Sequence, residues 1–263
     1  MKTTATQTII QGEALATVLF EPDNHIADVL LVHGFTGSKE DFTEIAELMA
    51  KVGYRVLTFD HRGQHESSHS KRADAYSMES LGRDVIELSK SFGLEKPHLL
   101  GHSFGGLIAQ EAFTQAPEMW RSITLMCSGP GGKSDWDRPD ALSFLRTRSM
   151  ESIWNEFFDE ERKTHPRYAI HKKRWIASDG ISTATYRDHL EVYPSRIGEI
   201  AKTGIPAHVI YGESDDAWPL ALQNQMAKDL NATLTVLPGC GHCPNEDNPQ
   251  LNTDALVSFW KSV

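Results

Sequence analysis

Cysteine, positive charge and long apolar runs are all scarce in this sequence of 263 residues. Its three cysteines are too few for a disulfide-stabilised scaffold. Acidic residues outnumber basic ones by 36 to 26, and the resulting net charge of −10 argues against nucleic acid or an anionic membrane surface as a partner. No apolar run approaches a membrane span, and residues 1–11 contain no apolar segment typical of a signal peptide. We therefore expect a cytoplasmic protein.

Short apolar strands alternate with helical patterns over much of the chain, which has a hydrophobic content of 40%. The patterns predict a hairpin over 3–20, strands at 27–32, 54–59, 98–102, 122–127, 207–211 and 233–237, and helices at 41–52, 77–92, 104–115, 220–230 and 249–260. This alternation predicts an α/β fold with a mostly parallel central sheet flanked by helices. Catalytic groups then belong at the carboxyl ends of the strands.

A Gly-x-Ser-x-Gly segment around Ser103 lies between one of these strands and the helix that follows it. A strand that turns sharply into a helix needs small neighbours, and Gly101 and Gly105 supply them. The turn places Ser103 Oγ at the strand end, beside a helix N-terminus whose free N–H groups favour negative charge. The flanking elements make the segment more specific than its five letters alone.

At these residues the chain resembles the α/β-hydrolase family, and specifically its serine hydrolases. The order along the chain in that family is Ser, acid, His, and Ser103, Asp215 and His242 follow it, each after a predicted strand. The resemblance implies that Ser103 is the nucleophile, His242 the base and Asp215 its partner. Asp216 is the competing acid, but position 215 matches the family's Gly-x-x-Asp spacing.

The resemblance also implies an oxyanion hole made by two backbone N–H groups. One belongs to Phe104, directly after the nucleophile. The other belongs to Phe35, because His33-Gly34-Phe35 is similar to the family's oxyanion loop. We expect the Phe35 ring to line the substrate pocket together with His102, Trp218 and Trp154. An alternative for His102 and His33 is that both only shape their loops.

Residues 60–67 resemble the family's Asp-x-Arg-Gly-x-Gly-x-Ser turn, with His65 where glycine is usual. We interpret this segment as a structural turn without a catalytic role. Cys240 and Cys243 flank His242 in a Cys-x-x-Cys spacing, which in other contexts marks a redox pair or part of a zinc site. The segment follows the last strand of a much larger pattern, and no further ligands are evident at suitable spacing. We therefore predict no metal and no cofactor.

The middle of the chain differs from its ends. Residues 131–200 show helical stretches at 141–148, 152–158, 168–177 and 183–193 and no convincing strand. They contain 12 basic and 12 acidic residues, so the net charge lies on the remainder. The resemblance implies a helical cap at 131–200 inserted into a core of 1–130 and 201–263. Trp136, Trp154 and Trp175 lie in it, either packing the cap onto the core or facing the site.

These observations predict a serine hydrolase, carboxylesterase-like (EC 3.1.1), that cleaves a carboxylic ester, thioester or lactone of a small apolar or aromatic substrate through an acyl-enzyme. Two alternatives stay open on the same fold: a lyase of the menaquinone-biosynthesis type or a carbon–carbon hydrolase, and a non-catalytic ligand-binding or receptor protein. The lyase group places an arginine after the elbow glycines, where this chain has Leu107. We expect a monomer or homodimer with no nucleic-acid or membrane partner.

Overall fold

A computed structural model of the chain describes residues 1–132 and 141–263, without the side chains of residues 141–143 and 161. Trp136 lies outside the described residues. The strands of the structure are β1 (Lys2–Ile10), β2 (Glu13–Glu21), β3 (Ala27–Val32), β4 (Tyr54–Phe59), β5 (His98–His102), β6 (Ser122–Met126), β7 (Ala207–Gly212) and β8 (Thr233–Leu237). Its helices are α1 (Thr43–Lys51), α2 (Met78–Ser91), α3 (Phe104–Gln115), α4 (Ala141–Thr147), α5 (Met150–Phe157), α6 (Asp159–Arg162), α7 (Tyr168–Ala177), α8 (Gly180–Val192), α9 (Ile197–Ala201), α10 (Leu220–Asp229), α11 (Pro244–Asp247) and α12 (Pro249–Trp260).

The described strands form a single sheet in the order β1-β2-β4-β3-β5-β6-β7-β8. The β1–β2 hairpin is antiparallel and joins the sheet antiparallel to β4. From β4 onward each neighbour is parallel, with β3 between β4 and β5. This arrangement confirms the predicted α/β fold and brings the carboxyl ends of β3, β5, β6, β7 and β8 to one edge, where ligands bind in such sheets.

Burial explains why the central strands are continuous apolar runs rather than alternating ones. Leu30, Leu31 and Val32 of β3 are all fully buried, as expected for a parallel strand covered on both faces. Helices α2 and α3 pack on each other, and α1 packs on α12. Helix α2 begins where Ser77 Oγ accepts the N–H of Ser80 at 3.2 Å, a typical N-cap.

Helices α4–α9, here called the insert, connect β6 to β7, and the structure places no strand in the described residues 141–201. The insert has a small apolar core of its own, distinct from the large cluster around the sheet: Leu145, Met150, Ile153, Trp154, Trp175 and Ala184. Helix α8 also contributes to the large cluster, through Tyr186 and Leu190. In the described part of the chain, no helix combines the length and apolarity needed to cross a membrane.

Candidate active site

The turn from β5 into α3 holds Ser103 in an unusual backbone conformation, with φ 54° and ψ −121°. Such a conformation in a non-glycine residue costs about 1–3 kcal/mol and persists only where the surroundings enforce it. The surroundings here are two glycines in close backbone contact. A Cβ at Gly105 would lie 2.2 Å from Val32 O, and one at Gly101 would lie 2.2 Å from Gly105 O. Ser103 is thus fixed at the end of β5, as the sequence predicts.

Asp215 and His242, which follow β7 and β8, are joined by a hydrogen bond of 2.8 Å from His242 Nδ1 to Asp215 Oδ1. Because Nδ1 carries the proton, Nε2 is the nitrogen with the lone pair. Burial opposes ionisation of Asp215. The hydrogen bonds from His242, Gln223 and the Ala217 N–H outweigh it and hold the pKa of the carboxyl below its usual value. Asp215 is therefore a charged partner for the imidazole.

The neighbouring carboxylate has a different environment. Asp216 is exposed, whereas Asp215 is 7% exposed and bonded through both oxygens. Gln223 on α10, fully buried, donates its Nε2 to Asp215 Oδ2 at 2.8 Å. Sequence reasoning missed Gln223, because a single glutamine in a helical pattern carries no signal of the loop it will contact.

Gly34, in the loop after β3, lies directly against the elbow. A Cβ on it would be 3.1 Å from Ser103 Cβ and 3.2 Å from His102 Nδ1. This contact brings the Phe35 segment to the side of Ser103, and Phe104 is the first residue of α3, where N–H groups have no partner within the helix. The predicted oxyanion donors thus belong to segments that flank Ser103. Their role stays a prediction.

Two buried histidines fix the shape of this loop. His61 donates Nε2–H to the His33 carbonyl at 2.8 Å, and its own N–H is donated to His33 Nε2 at 3.1 Å. His33 Nδ1 then donates to the Gly34 carbonyl at 2.8 Å. Burial lowers the pKa of His61 to about 4, and burial together with His61 lowers that of His33. Both rings are therefore neutral, which this donor pattern requires. The sequence identified His33 as a loop-shaping residue but not His61.

His102 contacts the backbone of His242 rather than facing outward. It is 6% exposed and donates Nε2–H to the His242 carbonyl at 2.8 Å, with the two ring centroids 5.0 Å apart. Burial and the nearby His242 lower its pKa to about 4, so the ring is neutral. This contact accounts for His102 without a substrate, in line with the loop-shaping alternative.

The other expected substrate contacts have different surroundings. Phe35 is half-buried against the large cluster, and Trp218 is 1% exposed with its ring against Gly129, where a Cβ would lie 2.1 Å away. Trp154 is 2% exposed inside the core of the insert, packed on Trp175 and other aromatic rings of the same segment. Trp154 is therefore explained as a packing residue, and the expectation that it lines the substrate site finds no contact to support it.

The cysteines are free thiols. Burial raises the pKa of Cys243 to about 12 and that of Cys127 well above its usual range, so both stay protonated. Low reactivity follows, since the thiolate is the reactive form. Among the described residues, ligand atoms of His102, Cys127 and His242 lie within 4.8 Å of one another, as do those of a second group described below. The first group includes His242, and the Nδ1 of His242 already donates its hydrogen bond to Asp215.

Comparisons with known proteins agree with this fold. A family profile described as alpha/beta hydrolase fold matches residues 29–249. The sn-1-specific diacylglycerol lipase ABHD11 of Mus musculus is 33% identical over 259 residues, covering 92% of this chain and 83% of the mouse protein. A putative 2-succinyl-6-hydroxy-2,4-cyclohexadiene-1-carboxylate synthase of Bacillus subtilis is 24% identical over 260 residues, with 92% and 93% covered. The crystal structure of the enol-lactonase from Burkholderia xenovorans LB400 superposes with a TM-score of 0.84 at 18% identity, with 97% and 100% covered.

Proposed function

Since this chain belongs to the α/β-hydrolase family, we propose that it is a serine hydrolase that cleaves a carboxylic ester, or a related thioester or lactone, through an acyl-enzyme. Ser103 is the nucleophile, His242 the general base and Asp215 the partner of that base. The substrate is a small molecule with an apolar or aromatic part, and the activity is of the carboxylesterase class. No cofactor takes part in these steps.

One observation carries the proposal: the 2.8 Å hydrogen bond between His242 and Asp215, at the sheet edge where Ser103 is held in its elbow. A serine hydroxyl is a weak nucleophile unless a base removes its proton, and the base needs a partner that fixes its tautomer. Protonation of Nδ1 leaves Nε2 as the basic nitrogen. A buried, ionised Asp215 then stabilises the imidazolium that forms.

In the acylation step, His242 Nε2 takes the hydroxyl proton as Ser103 Oγ attacks the substrate carbonyl carbon. The carbonyl oxygen becomes an oxyanion, which the N–H groups of Phe104 and Phe35 stabilise by donating hydrogen bonds. The imidazolium passes its proton to the leaving alcohol, thiol or ring oxygen, and the bond to that group breaks. The product is an acyl ester of Ser103.

Deacylation repeats these steps with water. Neutral His242 takes a proton from the water as its oxygen attacks the acyl carbon, and the oxyanion forms between the same donors. Collapse of this intermediate releases the carboxylic acid, and the proton on His242 returns to Ser103 Oγ. The enzyme is thereby regenerated, and the net reaction consumes one water per ester.

Two relatives bear on the substrate. The mouse relative is called a diacylglycerol lipase and the Burkholderia structure an enol-lactonase, so both names refer to ester-type bonds. We propose that the half-buried Phe35 forms an apolar wall beside Ser103 and that the insert acts as the cap that sets acyl preference. Trp218 is 1% exposed and packs against Gly129, so it offers no exposed face to a substrate. The cytoplasmic location and the monomeric or homodimeric state expected from the sequence stay predictions.

A second candidate is lyase chemistry of the kind named for the Bacillus relative, which is 24% identical over most of the chain. Against it, Leu107 is fully buried in the large cluster, so position 107 provides no charged group to a substrate. The two candidates share Ser103 and His242 and differ in the bond broken.

The test is hydrolysis of p-nitrophenyl esters with acyl chains of two to twelve carbons by the full chain and by Ser103→Ala. We expect p-nitrophenol release by the parent and a loss of about 10³-fold or more in the variant, with circular dichroism unchanged. Comparable turnover by the variant would contradict Ser103 as the nucleophile. A parent that binds esters without turnover would favour the lyase or the non-catalytic alternative.

A further inference from the structure

His65 stands out in the turn after β4 for its backbone and its ring. Its φ is 47°, in the left-handed region, which explains why glycine is usual there and is strained for a histidine. The residue is 4% exposed, and neither ring nitrogen has a hydrogen-bond partner. Leaving a buried polar group unpaired destabilises the fold further. The proposed hydrolysis uses neither feature.

The unpaired imidazole lies between two carboxylates. His65 Nε2 is 3.7 Å from Glu40 Oε2 and 3.8 Å from Glu66 Oε1. Glu40 Oε2 is itself buried without a partner. These distances are too long for hydrogen bonds, but all three ligand atoms lie within 4.8 Å of one another. With two sides of 3.7 and 3.8 Å and a third of at most 4.8 Å, the centre of the triangle that these atoms form is at most about 2.4 Å from each, close to the 2.0–2.2 Å that zinc forms with nitrogen and oxygen ligands.

Lys39 holds the carboxylates in this orientation. Its Nζ donates to the opposite oxygens, Glu40 Oε1 at 2.8 Å and Glu66 Oε2 at 2.9 Å, and also to buried Asp60 at 2.8 Å. The oxygens that face His65 are therefore those that Lys39 does not use. Lys173 of α7 is the other cation, at 3.2 Å from Glu66 Oε1 with its side chain 63% exposed. Three carboxylates thus face two ammonium groups, which leaves a net negative charge at His65.

We propose that Glu40, His65 and Glu66 form a binding site for a divalent transition-metal ion, with Zn²⁺ as its cognate class. One imidazole and two carboxylates suit zinc, and a fourth position stays open for water. The hard ions Mg²⁺ and Ca²⁺ prefer sites built from oxygen alone. The His65 backbone N–H donates to Ser178 Oγ at 3.1 Å, just after α7, so a bound ion would stiffen the junction between this turn and the insert.

The experiment is equilibrium dialysis and isothermal titration of the full chain with ZnCl₂, with MgCl₂ as the comparison ion. We expect one Zn²⁺ per chain at this site, at least about tenfold weaker in His65→Gly, which restores the usual residue of the turn. His69→Gln is the matched control, since exposed His69 lies four residues later and contacts the same segment through Ala177 O. Equal zinc binding by His65→Gly and the parent would overturn the proposal.

Lys173→Met should change zinc affinity in the opposite direction to His65→Gly. Removing the ammonium that competes for Glu66 Oε1 should tighten zinc binding several-fold, which a general loss of stability would not do. Unchanged or weaker binding would show that Glu66 Oε1 is not a ligand and would contradict the site. The absorption spectrum with Co²⁺ distinguishes this site from the group of His102, Cys127 and His242, because ligation by Cys127 would add a thiolate charge-transfer band. That band, together with metal binding that persists in His65→Gly, would show that the ion binds at Cys127 and would contradict the proposal.

Discussion

The loops around Ser103 and the insert are held by different kinds of contact. Close glycine packing and neutral hydrogen bonds fix the loops, as in the His33–His61 pair and the His102–His242 contact. The insert packs on the core through the apolar side chains of α8, and charged and polar side chains add further contacts: Arg174–Asp41, Arg167–Glu246, Lys173–Glu66, Arg196–Glu111 and Tyr76–Asp179. Contacts of the first kind tolerate little displacement, whereas ion pairs between long side chains adapt. The molecule thus combines closely packed loops around Ser103 with an insert whose attachment includes charged contacts.

The largest expected effect comes from Asp215, the charged partner of His242 in a site whose other contacts are neutral. Asp215→Asn should lower kcat on the order of 10³-fold, because an amide also allows the wrong imidazole tautomer. Asp216→Asn is the matched control, since Asp216 is exposed and its removal leaves the His242 contact intact. Ester hydrolysis by both variants measures this. If Asp216→Asn lost as much kcat as Asp215→Asn, the assignment of Asp215 as the partner of His242 would be contradicted.

Next in size is the ion pair that holds α7. Arg174 and Asp41 side chains are 11% and 9% exposed, and Arg174→Gln should lower the free energy of unfolding by about 3 kcal/mol, because it leaves Asp41 with less compensation for its buried charge. Lys173→Gln breaks an exposed pair in the same helix and should cost under about 1 kcal/mol. Urea unfolding followed by circular dichroism compares the two. Equal losses would mean that burial of the pair does not decide its strength.

A third test concerns the neutral imidazoles of the core. Burial lowers the pKa of His208 to about 4, against roughly 6.5 in an unfolded chain. The unfolded state therefore binds more protons between these values, and stability is lost as pH falls from about 6.5 to 4. Asp60 and Asp84, whose pKa burial raises to about 6, contribute with the opposite sign.

His208→Gln isolates one such group from the others. Between about pH 6 and 4.5, the pH slope of its unfolding free energy should be smaller than that of the parent by about 1 kcal/mol per pH unit. Urea titrations at four pH values give both slopes. Parallel slopes would mean that His208 is already protonated in the folded protein.

The smallest expected effect comes from one methyl group at the site. Gly34→Ala places a Cβ 3.1 Å from Ser103 Cβ, so a neighbour must shift by a few tenths of an ångström, and we expect about a tenfold loss of kcat/KM. Gly198→Ala is the control, because nothing lies within 4 Å of its Cβ position and it is exposed on α9. If Gly34→Ala retained full activity, the loop would be less constrained than its packing indicates.

The sheet was predictable from the sequence because its strands are apolar runs with turn signals at both ends. The predicted strand at 54–59 and the predicted helix at 77–92 agree with β4 and α2 to within a residue. The short helices α6, α9 and α11 were missed, since four or five residues carry too little periodicity to detect. Local patterns in the sequence therefore predicted those strands and helices that bury a long apolar face.

The side chains of the site were predictable only where a motif marks them. Ser103, Asp215 and His242 each follow a strand, and the structure brings the last two into contact. Gln223 and His61 reach the site through tertiary packing, which no local pattern encodes. Trp154 shows the converse, because an aromatic residue in the insert can equally well fill the core of the insert.

The most direct measurement of the central claim is the intact mass of the protein after incubation with a fluorophosphonate, with peptide mapping of the adduct. The account predicts one adduct per chain, located on Ser103, absent in Ser103→Ala and formed much more slowly in His242→Gln, because the hydroxyl then lacks its base. An adduct on another residue, or unchanged labelling of the Ser103→Ala variant, would contradict the claim that Ser103 is the nucleophile.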